Sequence, residues 1–169
     1  MADSTIGKKA ESKIREWLDK PEVGYSFDRI PDQMTGKFGS KNICDFLCFK
    51  QPNLYYIESK ATWEDRFDFA NISPTQHEGL LNKSRIPNVY GLVIVLFASH
   101  KRAFMFLIED IDKAATQGIK SLNINKRDSW ELPCIEIHTV HNSRKQLLDY
   151  TGPIEDYVQY LITLRSNMI

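Results

Sequence analysis

Residues Val89 to Ala98 read Val-Tyr-Gly-Leu-Val-Ile-Val-Leu-Phe-Ala, an almost unbroken apolar run rich in β-branched side chains. A run of that length and composition suits a strand covered on both faces, because a strand with one wet face alternates apolar and polar residues. The chain must therefore supply layers for both sides of a sheet. Before the run, Ile6, Ala10, Ile14, Trp17 and Leu18 recur at helical spacing after a cap at Ser4 or Thr5, and Pro74 to about Ser84 reads as a second helix stopped before Pro87. After it come a strand from Ala103 to Ile108, a short helix from Ile111 to Gln117, a late strand from Cys134 to Val140 and a helix from Pro153 to Arg165. Tyr25 to Ile30, Ile43 to Phe49 and Leu54 to Ala61 are the earlier strands. Consecutive strands followed by a crossover helix imply an α/β fold, a mixed central sheet flanked by helices. The 169 residues carry no repeat and no linker, so a single domain spanning 1–169 is expected.

Composition narrows the chemistry. Acidic and basic residues balance at 22 each, which argues against a protein that coats nucleic acid by bulk charge. Cys44, Cys48 and Cys134 are odd in number and lack CxxC spacing, so neither a disulfide framework nor a zinc site is expected. No secretory signal pattern opens the chain, and no run reaches the ~20 apolar residues of a membrane span. A cytoplasmic setting without membrane contact is expected. Walker A and GxGxxG patterns are absent.

Two acids interrupt the otherwise apolar strands at 43–49 and 54–61. Side chains alternate along a strand, so Ile43, Asp45, Leu47 and Phe49 share one face, as do Leu54, Tyr56, Glu58 and Lys60. If the turn Lys50-Gln51-Pro52-Asn53 closes symmetrically, Phe49 pairs with Leu54 and Asp45 falls opposite Glu58. Opposed residues have Cβ atoms roughly 4.5–5.5 Å apart, where like charges destabilise a sheet. A hard cation resolves the conflict, and Mg²⁺ favours one or two carboxylates completed by water and phosphate oxygens. Lys60 would then orient water or offset charge on a scissile phosphate, which describes metal-assisted phosphodiester hydrolysis. The competing reading makes the two acids solvated surface residues paired with Lys60, at the cost of placing charge among core positions.

The segments Gly39-Ser-Lys-Asn-Ile-Cys-Asp45-Phe, Tyr56-Ile-Glu58-Ser-Lys60 and Phe67-Asp-Phe-Ala-Asn-Ile-Ser-Pro-Thr-Gln76 together resemble the RecU-type Holliday-junction resolvases. These are restriction-endonuclease-like nucleases of the PD-(D/E)xK superfamily. The likeness is strongest over residues 7–111 and leaves 119–169 as a C-terminal extension of the same domain. It implies a homodimeric endodeoxyribonuclease that uses Mg²⁺, with Mn²⁺ able to substitute, and nicks a four-way DNA junction symmetrically in a bacterial or phage-infected cell. By the resemblance, Asp45, Glu58 and Glu11 hold the metal, and Lys60 and Gln76 complete the catalytic set. By the same resemblance Ser40 is the hydroxyl residue before the aspartate, expected at the DNA, and Lys37 and Lys41 are candidate phosphate contacts on the loop spanning Pro31 to Lys41.

Two of these positions have another reading. Glu11 and Arg15 are spaced as an ordinary surface pair, and Ser73-Pro-Thr-Gln76 is also a capping box. Relative to the family, the chain begins close to its first helix and its 31–41 loop is short, as in a compact, phage-encoded relative. Another nuclease of the superfamily acting on flaps, ends or duplex sequences is the enzymatic alternative, and a non-catalytic DNA-binding relative is the other. Lys83, Arg85, Lys101 and Arg102 are further candidate phosphate contacts. His138 and His141 are expected at the surface. Ile154, Tyr157, Val158, Leu161 and Leu164 form an apolar stripe that packs either on this chain or on a second copy.

Overall fold

The computed structural model describes residues 2–31, 42–142 and 147–168. Four α-helices and ten strands occur among them: α1 (Ala2–Leu18), β1 (Ser26–Arg29), β2 (Phe46–Lys50), β3 (Asn53–Thr62), β4 (Arg66–Asp68), α2 (Pro74–Ser84), β5 (Val89–Phe97), β6 (Arg102–Leu107), α3 (Ile108–Thr116), β7 (Ser121–Asn123), β8 (Ile135–Glu136), β9 (Thr139–Asn142), β10 (Leu147–Tyr150) and α4 (Ile154–Asn167). Six strands form the central sheet in the order β1-β2-β3-β5-β6-β8. Only the β3–β5 pair is parallel, joined through α2, and the neighbours on either side are antiparallel. This is the expected mixed sheet flanked by helices.

The apolar run is β5, and it is covered on both sides. Leu92, Ile94 and Leu96 point into a core shared with Ile14, Trp17 and Leu18 of α1 and with Tyr157, Val158 and Leu161 of α4. Val93, Val95 and Phe97 point into a second core with Leu80 of α2, Ile111 of α3, and Phe67 and Leu122 of the β4–β7 ribbon. Burial of this kind is worth roughly 1.5–3 kcal/mol per large apolar side chain. The apolar stripe of α4 is thus committed to the protein's own core through Ile154, Tyr157, Val158 and Leu161.

Several expected boundaries differ. Ser4 and Thr5 lie inside α1, which starts at Ala2, and α3 starts at Ile108, three residues early. The late strand expected from Cys134 to Val140 divides into β8 and β9. Ile137 still donates its amide to Ala103 of β6, but the His138 N–H donates to the Tyr157 hydroxyl. The chain turns off the sheet there, and β9 pairs with β10 instead. The three-residue strands β4 and β7 were not foreseen, because their pairing partners lie far apart in sequence.

The turn between β2 and β3 determines the geometry of the acids. Phe49 pairs with Leu54 and Phe46 with Ile57, the symmetric register anticipated above. Asp45 falls one residue before β2, yet its amide still donates to the Ile57 carbonyl at 3.0 Å, so it continues the ladder opposite Glu58. On the same side, α2 comes close to the segment before β2 at Gly79. A Cβ at that position would stand 2.8 Å from Ile43 Cβ, closer than carbon atoms pack.

Candidate active site

Glu58 is 2% exposed, although it carries an ionisable group. Its Oε1 accepts from Lys60 Nζ at 2.7 Å and from Gln76 Nε2 at 2.6 Å. Its Oε2 is buried and has no hydrogen-bond partner. Burial pushes the Glu58 carboxyl up to about 8, reinforced by the Asp45 carboxylate and opposed by Lys60. Asp45 is half-buried, and its Oδ2 accepts the Ser59 amide at 2.7 Å. Burial lifts it to about 6, while the Ser59 N–H favours its charged form. The two strands therefore hold two carboxylates face to face, each harder to ionise than an ordinary acid. Burial first, then Glu58 and Asp45, raises the neighbouring Cys44 thiol to about 12, so that sulfur stays protonated.

Gln76 ties this pair to α2, and both readings of Gln76 hold together. Its Oε1 accepts from the Ser73 amide at 3.0 Å and its own amide donates to Ser73 Oγ at 3.3 Å, closing the capping box. The same Oε1 also accepts from Lys60 Nζ at 3.1 Å. A glutamine at the third helical position thus satisfies the helix start with its oxygen and reaches the sheet with its nitrogen. The Ser73 cap and Pro74 at the start of the helix hold that position.

Glu11 has a partner that neither sequence reading anticipated. Arg29 of β1 donates to Glu11 Oε2 through NH2 at 2.6 Å and Nε at 3.0 Å, in place of the expected Arg15 contact. Glu11 nevertheless lies close enough to Asp45 and Glu58 to raise both. Among the described residues, no three His, Cys, Asp or Glu side chains converge into a metal-binding group. The acids brought together are Asp45 and Glu58. Their fit to a hard cation rests on the orphaned Glu58 Oε2 and on an all-oxygen donor pair, the chemistry that Mg²⁺ selects.

Lys37, Ser40 and Lys41 lie outside the described residues. Of the other candidate phosphate contacts, Lys83 stands over the Tyr56 ring at 5.6 Å, two residues from Glu58 on the same face of β3. Arg102 is committed to Glu136 through two bonds of 2.7 Å. His77 pairs with Asp112 and His100 with Asp65, and His138 is exposed as expected. Sequence reasoning missed Arg29 and the Ser59 amide. The first lies in an ordinary polar strand, and the second is a backbone group with no sequence signature.

Comparison with known proteins identifies the family. The family model for RecU, recombination protein U, matches residues 22–156. The match extends past residue 119, where the sequence resembled nothing definite, and leaves Glu11 outside it. No curated protein matches. Among solved structures, one that is similar is Hjc of Archaeoglobus fulgidus, a Holliday junction resolvase from an archaeal hyperthermophile. It shares 16% identity over 61% of this chain and 78% of its own, at a TM-score of 0.44. With most of its length matched by one family model, and with Asp45, Glu58 and Lys60 all inside the match, this chain belongs to the RecU family of recombination proteins.

Proposed function

We propose that this protein is a divalent-metal-dependent endodeoxyribonuclease that resolves four-way DNA junctions, working as a homodimer. The observation that carries the reading is the buried Glu58 carboxylate facing Asp45, with Oε2 unpartnered and Oε1 held by Lys60 and Gln76. A buried acid lifted to about 8 is unfavourable as an isolated anion. Its retention among core side chains is explained by a cation that it and Asp45 share. Mg²⁺, or Mn²⁺ in its place, supplies Lewis-acid stabilisation of charge and a more acidic water.

The chain's own residues divide the remaining work. The Ser59 amide fixes the Asp45 carboxylate through one oxygen, and Asp45 would hold the ion together with Glu58. Lys60 places a positive charge beside the carboxylate pair, where negative charge builds on the phosphate during in-line displacement. Gln76 holds both Lys60 and Glu58 against α2, which limits the freedom of a long lysine side chain. Glu11, paired with Arg29, adds negative charge near the two acids and would support a bound ion from outside the pair. Lys37, Ser40 and Lys41 serve the DNA.

The deciding experiment is a nicking assay on a mobile four-way junction beside linear duplex and flap substrates, with Mg²⁺ and with EDTA. Paired symmetric nicks confined to the junction, and dependent on Mg²⁺, are expected. Equal cutting of duplex would redirect the reading to another nuclease of the superfamily. Binding without cleavage, unchanged by Asp45→Asn, would overturn it in favour of a non-catalytic protein.

A further inference from the structure

Beyond the acids, β3 ends at Thr62, and the next residue, Trp63, is 49% exposed. The loop that carries this ring is tightly held. Ser99 Oγ donates to the Trp63 carbonyl at 2.7 Å, the Glu64 amide donates to Thr62 Oγ1 at 3.0 Å, and Asp65 is bonded by His100 and Asn125. The ring borders a groove of about 330 Å³ between α1 and the β9–β10 ribbon, floored by Leu96 and Ala98. That volume lies within the range of small-molecule sites.

Charge in the groove is segregated. Glu16 and Asp149 line the end that continues into a neighbouring depression, together with Lys13. Lys13 donates to the Leu148 carbonyl and feels both acids, so these three groups together carry one negative charge. Lys9 and Lys101 line the groove but not the depression, as does Trp63. Both lysines are exposed. Lys101 is held in the left-handed region at φ 53°, a conformation that costs a non-glycine residue energy and concentrates at functional sites.

We infer that this groove seats an unpaired base of the DNA strand, stacked on Trp63, with Lys9 and Lys101 on the phosphates that flank it. A rigid aromatic face beside cations is the arrangement that binds single-stranded nucleic acid without reading its sequence, since every base has a π-face. Trp63 is three residues beyond Lys60, but Lys60 faces α2 and the groove faces α1, so the platform lies across the sheet from the acids. A branched junction supplies such bases where its arms part. This last step rests on the nuclease reading above, whereas the stacking itself does not.

The test uses the full chain in EDTA, with a short oligothymidylate as probe, and follows both fluorescence anisotropy and intrinsic tryptophan emission. Trp17 is buried and Trp130 half-buried, so Trp63 is the ring open to quenching by a base. Trp63→Ala is expected to weaken binding by about 5- to 100-fold and to abolish the quench. Trp63→Phe is expected to abolish the quench while keeping most of the affinity. Lys9→Ala and Lys101→Ala should each reduce the salt dependence of binding by about one counterion. Wild-type affinity in Trp63→Ala, or a quench that survives it, overturns the inference. If oligothymidylate quenches Trp63 but no junction is nicked in Mg²⁺, the platform stands and the nuclease reading falls. If junctions are nicked and Trp63→Ala binds as wild type, the reverse holds.

Discussion

Two carboxylates of this protein are buried to nearly the same degree and live in opposite circumstances. Asp110 of α3 is 3% exposed, and both its oxygens are bonded by Arg165 of α4, Oδ1 to Nε at 2.7 Å and Oδ2 to NH2 at 2.9 Å. Glu58 is 2% exposed, yet one oxygen is bonded twice and the other not at all. The Asp110 fork closes on itself and pins one helix to another. The Glu58 arrangement is open, and its nearest like-charged neighbour is placed across the ladder from it. Burial by itself therefore does not mark a functional acid. Nor does a missing hydrogen bond alone, since Glu109 Oε2 is also buried without one but lies 3.7 Å from Arg165 NH2; what sets Glu58 apart is an unbonded oxygen that faces a second carboxylate across the ladder.

The sharpest way to break this comparison is through cleavage. Asp45→Asn, Glu58→Gln and Lys60→Ala are each expected to lower junction nicking by roughly 10³-fold, measured in single-turnover assays, while Asp110→Asn leaves the rate per folded molecule unchanged. Stability should answer the other way. Arg165→Ala leaves Asp110 buried and unpaired, and is expected to cost about 3–5 kcal/mol in urea unfolding.

Metal linkage gives the next largest effect. Adding Mg²⁺ at a hundred times its dissociation constant should stabilise the wild type by about 2.7 kcal/mol, an effect lost in Asp45→Asn and retained in Arg165→Ala when followed by thermal melting.

The pH dependence is smaller and has a definite sign. The folded Glu58 carboxyl titrates at about 8, above its ordinary 4.5, so between those values the folded protein binds more protons than the unfolded chain. Stability without metal falls as pH rises through that window, and Asp45 adds to the fall up to about 6. Glu58→Gln should consequently raise the metal-free Tm at pH 8 by roughly 2–8 °C, and change it little at pH 4. A destabilised Glu58→Gln at pH 8 would place Glu58 in the same structural class as Asp110. The smallest effect is expected at Glu11, where Glu11→Gln should reduce nicking about tenfold with the Asp45–Glu58 pair intact, as for residues that support a metal shell from outside.

Much of the central sheet was legible because its signals are local. The period of two along 43–49 and 54–61, with a short turn between them, is enough to set Asp45 against Glu58, and the register found is the one the turn dictates. Ser73 and Pro74 likewise announce the start of α2, and with it the position of Gln76. The β4–β7 ribbon was not legible, since three-residue strands 121 and 66 residues into the chain carry too little periodicity to identify each other. The division of the late strand was also hidden, because it depends on a Tyr157 hydroxyl delivered by α4.

The same division runs through the site. The residue types, their spacing and the opposition of two acids were determined by the sequence alone, since alternation and turn length are properties of neighbouring residues. Only the tertiary structure decided that Glu11 meets Arg29, that the Ser59 amide holds Asp45, and that Gln76 joins Lys60 to Glu58. Each of those contacts joins separate elements of the chain, and their distances follow from how α1 and α2 pack on the sheet and how β1 pairs at its edge. The unpartnered oxygen of Glu58 belongs with them, because no sequence reveals which hydrogen bonds a buried group has failed to make.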